Sequence, residues 1–309
     1  LKDNKKESFI YDLVVDCSGR NSIIAKEMSL RGPLENVFEG QWANFAIRCH
    51  FKNVDFSHLK EGINNYSPTT VNIFPDKDCW FWFIPLDDKE KIVSIGFVAR
   101  YKLKKLVDSS LDKMSAYRKL IEAHPVLKKA VKNAEMLENV VATSRLGHMN
   151  TKMCGDGFVC VGDSAFFADP AWGTGATIAL KTAKMATETI LKCIDKKDFS
   201  ENALQTYEDD YLKYIEAPFN SIRVYNHYYN DIDYVNFIVK NLHDNQKSMD
   251  MIGAIIFDYV SHEAFQSWTY SVFKKYYKET GRFPVFSKVS QFDFESGKVG
   301  NKSISEILK

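Results

Sequence analysis

The spacing of apolar and polar positions changes several times along the chain, and each change predicts an element. FIYDLVV, Phe9 to Val15, is a β-branched and aromatic run closed by Asp16, Cys17, Ser18 and Gly19, which predicts a strand entering a tight turn. NSIIAKEMSL, residues 21–30, predicts a short helix capped by Asn21 or Ser22 and ended by Gly32 and Pro33. Between Gln41 and Arg100 the runs WANFAIRCHF, TTVNIFP, CWFWFIPL and IVSIGFVAR follow one another with only turn-rich loops between them, the pattern of an antiparallel sheet. Helical periodicity returns over Ser109 to Glu138 with a break at Pro125. ENVVATSRLGHM and GFVCVG predict two more strands, and Thr174 to Ile194 predicts an amphipathic helix from Ala, Leu and Met at three- and four-residue steps. Asn202 to Tyr277 is mostly helical in pattern, with a loose Lys/Ser/Gly tail after Gly281.

Composition narrows the classes of function. A chain of 309 residues suggests two or three packed units. Lys and Arg number 41 against 40 acidic side chains, so no electrostatic case for nucleic acid exists. No apolar run approaches the roughly 20 residues needed to span a bilayer. The cysteines, at 17, 49, 79, 154, 160 and 193, form no CxxC pair, which predicts reduced thiols and a cytoplasmic location. The histidines show neither HxxxH nor HExxH, so no metal site is expected, and no Ser, His and acid order reads as a triad. Aromatic residues at 14% favour a thick core or a large apolar pocket, and the cluster RVYNHYYNDIDY, Arg223 to Tyr234, reads first as a packed helix surface, with the lining of a substrate cavity or a carrier-protein face as the alternatives.

The chemistry concentrates in FVCVGDSAFFADPAWGTGATIAL. A buried strand ends at Gly162, so the Asp163 carboxylate is presented at the carboxyl end of the strand, suited to the hydroxyls of a ribose or ribityl chain. Pro170 sets the following loop, and Gly173 and Gly175 allow backbone to approach a ligand closely. The helix beginning near Thr174 turns its free amides and positive dipole end towards that loop, which favours an anionic group. Any one of these residues fits an ordinary strand, turn and helix; the ordered set between a strand and an Ala-rich helix predicts a nucleotide or flavin site. Arg20, after the Ser18–Gly19 turn, meets a phosphate or faces solvent, and the residues leave both open.

This segment resembles the second FAD fingerprint of flavoproteins with the aromatic hydroxylase fold, and YDLVVDCSGRNS resembles the same family's DxVVDASGRxS turn. CWFWFIP contains W-x-W-x-I-P, which resembles the signature of flavin-dependent halogenases; on a strand, Trp80 and Trp82 share one face and Phe81 and Phe83 the other. The resemblance implies an α/β fold: a Rossmann-like FAD-binding domain lacking its first βαβ unit (1–32 and 147–198), an inserted antiparallel substrate sheet (33–146) and a helical C-terminal region (199–309). It implies FAD held by Ser18, Gly19, Arg20, Gly162, Asp163, Pro170, Gly173, Gly175 and Ala176, a halide at Thr174 and Gly175, and shielding of the oxidant by Trp80, Trp82 and Pro85.

The implied reaction uses FADH2, O2 and halide, with a separate flavin reductase, to halogenate an electron-rich aromatic that is free or tethered to a carrier protein. Trp172 stands where tryptophan-specific members carry a glutamate, which points to a phenolic or pyrrolic substrate. No G-x-G-x-x-G occurs, since Ile178 breaks GTGATI, and the family's catalytic lysine belongs upstream of the resemblance; this chain alone is therefore expected to be inactive. Two alternatives share the fingerprint: a reductase or monooxygenase of the geranylgeranyl reductase or aromatic hydroxylase type, and a flavin-fold remnant that binds without turnover.

Overall fold

The computed structural model describes residues 8–33, 45–58, 70–74, 79–99, 112–144, 146–228, 231–243, 271–272, 274–282, 292–293 and 298–299. Strands are β1 (Val14–Asp16), β2 (Arg31–Pro33), β3 (Phe45–Lys52), β4 (Thr70–Phe74), β5 (Cys79–Asp87), β6 (Ile92–Ala99), β7 (Glu135–Met136), β8 (Val141–Thr143), β9 (His148–Asn150), β10 (Cys154–Gly155), β11 (Phe158–Cys160), β12 (Phe166–Phe167), β13 (Phe292–Asp293) and β14 (Lys298–Val299). Helices are α1 (Ile23–Glu27), α2 (Lys113–Ala123), α3 (Pro125–Ala130), α4 (Gly175–Lys196), α5 (Glu201–Tyr228) and α6 (Ile232–His243).

β1 and β11 run parallel, Val14 opposite Phe158 and Asp16 opposite Cys160, with β10 antiparallel on the far side of β11. Parallel neighbours so distant in sequence place both carboxyl ends at one edge, where the turns after Asp16 and after Val161 meet. α4 and α5 pack on this sheet: Val159 and Cys160 share a buried cluster with Ile178, Ala186, Tyr207 and Tyr211.

The antiparallel expectation for the middle of the chain is met by a six-stranded sheet ordered β4-β5-β6-β3-β7, with β8 also on β3. Its two faces separate by residue parity. Ile47, Cys49, Phe81, Phe83, Ile95 and Phe97 pack against Tyr117, Leu120 and Leu127 of α2 and α3, while Ala46, Trp80 and Val98 face the opposite way.

Several boundaries differ from the pattern. The strand expected from Phe9 is regular only from Val14, because β11 starts opposite it at Phe158; Phe9, Ile10 and Tyr11 are exposed. Ser22 stands at the N-cap position of α1, but its side chain makes no capping bond: Ser18 Oγ accepts from the Ile23 N–H at 3.1 Å and Asp16 Oδ2 from the Ile24 N–H at 2.9 Å. It stops at Glu27, and Gly32 and Pro33 lie in β2, which pairs with β9. Pro125 starts a helix at its first turn, with His124 Nδ1 accepting from Leu127 N–H, and helix ends at Ala130. ENVVATSRLGHM divides between two sheets, β8 on β3 and β9 between β2 and β12. The tail after Gly281 includes the antiparallel pair β13 and β14. Gln41 to Asn44, Thr69, Pro75, Arg100 and Ser109 to Leu111 lie outside the described residues, as does all of 244–270.

Candidate functional site

The turn Gly162–Ser164 closes β11, and side chains from three elements hold its main chain. Gly162 N–H donates to Thr182 Oγ1 of α4 at 3.0 Å, and the Gly162 carbonyl accepts from Tyr211 Oη of α5 at 3.1 Å. The Asp163 carbonyl lies 2.8 Å from His148 Nε2, and the Ser164 carbonyl accepts from Asn150 Nδ2 at 3.0 Å, both residues in β9. Ser164 Oγ donates to the Asp16 carbonyl at 2.5 Å, tying the turn to the end of β1. The turn is thus pinned through its backbone, and the carboxylate of Asp163 is left half-buried at the sheet edge. Burial raises the Asp163 carboxyl above the ordinary value, and Arg20 opposes that rise.

Arg20 follows the neighbouring turn. Its Nε donates to the Leu146 carbonyl at 3.3 Å, and its guanidinium carbon lies 5.7 Å from the centroid of the Phe167 ring. Burial lowers its pKa, and the opposite charge of Asp163 pulls the other way. Gly19 takes φ +61 with open space where a Cβ would stand. Ser18 is nearby, but its hydroxyl is engaged as the cap of α1.

The second wall is the loop before α4. Asp169 Oδ1 accepts from the Ala171 N–H at 2.9 Å, which shapes the turn Pro170–Trp172, and Gly173 leaves it at φ +65. A Cβ on Gly173 would meet no atom within 4 Å, so this loop borders open space. Thr174 is the buried N-terminal flank of α4 and makes no side-chain cap. A Cβ on Gly175 would stand 3.7 Å from Asp163 Oδ1 and 3.9 Å from Phe167 Cε2, so the start of the helix abuts the carboxylate. Ala176 is exposed on the first turn. With no acidic residue in that turn, a 22-residue helix presents its free N–H groups and positive end here.

The third wall comes from the antiparallel sheet. Trp80 and Trp82 have ring centroids 6.0 Å apart at 51°, and they pack with Leu146, Phe167 and Ala171 beside the α4 loop. Trp82 Nε1 donates to Ser94 Oγ at 3.0 Å, whereas the buried Trp80 Nε1 has no hydrogen-bond partner among the described residues. Pro85 is not brought to this place: it lies near the end of β5 at a register shift, with the odd-numbered Phe81 and Phe83 rather than the indoles. The sequence therefore nominated the carboxylate, the glycines and the indoles, while His148, Asn150, Thr182, Tyr211 and Phe167 escaped it. Only the Tyr207 and Tyr211 pair carried a signal, a one-turn spacing on a helical pattern. No group of three or more metal-binding side chains exists among the described residues, and no described helix is long and apolar enough to cross a membrane.

His148 makes a stability prediction. Burial, with Arg31 next in importance, holds its pKa down at about 4 from 6.5. The ring is neutral in both folded and unfolded chains above about pH 6.5. Between there and about pH 4 only the unfolded chain takes up the proton, so stability falls as pH falls, by up to about 3 kcal/mol at about 1.4 kcal/mol per unit. Urea unfolding at pH 7.5 and pH 5 should show a steeper loss for the natural chain than for His148→Gln; equal slopes would remove His148 as the cause.

The tryptophan halogenase family model matches residues 1–272. A 1H-pyrrole-2-carbonyl-[peptidyl-carrier protein] chlorinase from Pseudomonas fluorescens is 28% identical over 196 residues, 63% of this chain and 42% of that protein. A triple mutant of the flavin-dependent brominase Bmp2 superposes with a TM-score of 0.67 at 21% identity, covering 91% of this chain and 65% of the other. A mutant of the halogenase PltM in complex with FAD gives a TM-score of 0.62 at 14% identity, covering 87% and 60%. The chain spans less than half the length of the chlorinase.

Proposed function

Since the chain belongs to the tryptophan halogenase family, we propose that the whole protein is an FAD-dependent halogenase of electron-rich phenolic or pyrrolic aromatics, using O2 and chloride or bromide. The observation that carries this reading is the packing of Trp80 and Trp82 against Phe167 and Ala171, which brings the halogenase-like tryptophan pair to the flavin-like loop. A flavin suits the residues present. The Asp163 carboxylate is half-buried beside Gly175 at the start of α4, the buried Trp80 Nε1 has no hydrogen-bond partner among the described residues, and a Cβ at Gly19 or Gly173 would meet no atom.

FAD, when bound and reduced, supplies the electrons with which O2 converts halide into an electrophilic halogen. Asp163 would accept hydrogen bonds from the ribityl hydroxyls, Arg20 would neutralise phosphate charge, and the Ser18–Gly19 turn would give the backbone clearance. Pro170 and Gly173 would shape the loop that receives the flavin, and the amides of Gly175 and Ala176 would hold it by hydrogen bonds. Thr174 and Gly175 provide the helix-end donors for the halide, a small anion suited to such a site. Trp80 and Trp82, packed beside the α4 loop, would exclude water from the oxidant; Pro85, away from the indoles, takes no part. The division into an FAD-binding part (1–32 and 147–198), a substrate sheet (33–146) and a helical region (199–309) belongs to the same proposal, as do a separate flavin reductase and a substrate free or carrier-bound. The chlorinase's name describes a pyrrole tethered to a carrier protein, and that supports the tethered alternative.

Full-length protein incubated with a flavin reductase, NADH, O2, bromide and a panel of phenols and acyl-pyrroles should yield products heavier by one bromine in place of hydrogen. Hydroxylated or reduced products in its stead would assign the chain to the monooxygenase or reductase branches of the fold, and flavin binding without turnover would favour the remnant.

A further inference from the structure

The Trp-bearing face of the six-stranded sheet continues past the indoles into a polar cluster that the flavin site does not use. Arg48 Nη1 donates to Glu138 Oε1 at 2.5 Å, and His50 Nδ1 lies 3.2 Å from the same oxygen. Arg48 Nη1 is also 3.3 Å from His50 Nε2, so the three side chains close a triangle. Each side chain is about a third exposed, between 30% and 36%.

Register ties this triangle to the indoles. Arg48 pairs with Gly96, and Gly96 pairs with Trp82. Two strand spacings put Arg48 and Trp82 about 10 Å apart at the backbone. The indole fills that interval: a Cβ on Gly96 would stand 2.1 Å from Trp82 Cζ2, so the ring lies across the glycine towards β3. Its Nε1 is held by Ser94, and Ser94 pairs with His50. The result is an aromatic floor edged by a guanidinium, a carboxylate and an imidazole, continuous with the Trp80 end that touches the flavin-like loop.

We propose that Arg48, His50 and Glu138 form the polar edge of the aromatic-substrate site and select a ring hydroxyl, so that the substrate class is a phenol; this rests on the halogenase reading above. A hydroxyl is both donor and acceptor, which matches what the triangle offers. Both contacts within the cluster converge on Glu138 Oε1, which leaves Oε2 to accept the O–H, while further N–H groups of Arg48 donate to the oxygen. A pyrrole ring offers the carboxylate its N–H but has no ring acceptor for the further N–H groups of Arg48. Attack of an electrophile draws electron density from the hydroxyl oxygen and makes its proton more acidic, so a carboxylate already bonded to that proton stabilises the developing cation. His50, which lies against both partners, is a positioning residue.

The test uses calorimetric titration of the FAD-loaded full-length protein with resorcinol and with its dimethyl ether, which has the same ring and no donor. The natural protein should bind resorcinol at least tenfold more tightly than the ether. Glu138→Gln and Arg48→Met should each bring that ratio below threefold while the FAD dissociation constant stays within twofold. If either variant loses FAD affinity as well, it reports a disturbed fold, and His50→Gln supplies the measurement, with the same collapse of the ratio expected. An unchanged ratio in the folded variants, equal binding of the two ligands by the natural protein, or binding of neither would overturn the proposal. The titration needs no turnover, so absence of halogenated product overturns the halogenase reading alone.

Discussion

Asp163→Ala is expected to weaken FAD binding by about ten- to a hundredfold, the loss that removal of hydrogen bonds to a charged acceptor, about 1.5–3 kcal/mol, produces. The effect should be confined to the ligand, because the carboxylate makes none of the contacts that hold the turn; Thr182, Tyr211, His148 and Asn150 act on main-chain atoms or on neighbouring residues. Quenching of flavin fluorescence on titration with apoprotein measures the affinity, and thermal unfolding of the apoprotein should be little changed. Asp163→Asn keeps the shape and loses the charge, so it should fall between. The pH dependence carries a sign. Burial raises the Asp163 carboxyl, and the ligand hydroxyls bind its ionised form, so affinity falls as pH falls through the raised value. The asparagine variant should lack that dependence. An alanine variant that binds like the natural protein would remove Asp163 from the site.

Gly162→Ala is expected to cost the fold more than the same change at Gly173, although both glycines have positive φ, +60 and +65. The left-handed conformation costs an L residue about 1–2 kcal/mol at either position. At Gly162 the new methyl would also stand 3.0 Å from Ala179 Cβ and 3.1 Å from its Cα, pressing on the backbone of α4. That helix cannot retreat freely, because Thr182 bonds Gly162 N–H and Tyr211 holds the carbonyl. A total loss of about 2–4 kcal/mol follows when tight packing is added to the conformational cost. At Gly173, where a Cβ meets open space, only the conformational part applies. Urea denaturation of the two variants side by side distinguishes them, and equal losses would mean that packing against Ala179 contributes nothing.

These two glycines mark how far the chain is legible without coordinates. Both announce a turn and a close approach in GDSAFFADPAWGTG, yet the letters do not distinguish a glycine wedged against a helix from one bordering a cavity. The strands rich in β-branched and aromatic residues were legible as strands because alternation is a local property, and CWFWFIP assigned its indoles and phenyl rings to opposite faces correctly. Boundaries failed where a partner decided them. Phe9 to Leu13 has strand composition, but no strand opposite it. ENVVATSRLGHM has one continuous pattern and serves two sheets, since pairing with β3 and pairing with β2 are non-local events. Asn21 and Ser22 are good caps by type, yet Asp16 and Ser18 reach the helix amides first.

By itself the sequence determined the kinds of element, the Asp163 turn at a strand end, the glycine loop before a long helix and the tryptophan pair, because each is written in residues a few positions apart. Only the tertiary structure decided that the indoles meet that loop through Phe167, that Arg20 stands beside Asp163, that His148 and Tyr211 hold the turn, and that Arg48, His50 and Glu138 edge the Trp82 floor. The physical reason is that hydrogen bonds and burial form between groups brought together by packing. Arg48 and Glu138 lie 90 residues apart and Ser164 and Asp16 lie 148 apart, and no local pattern records such distances.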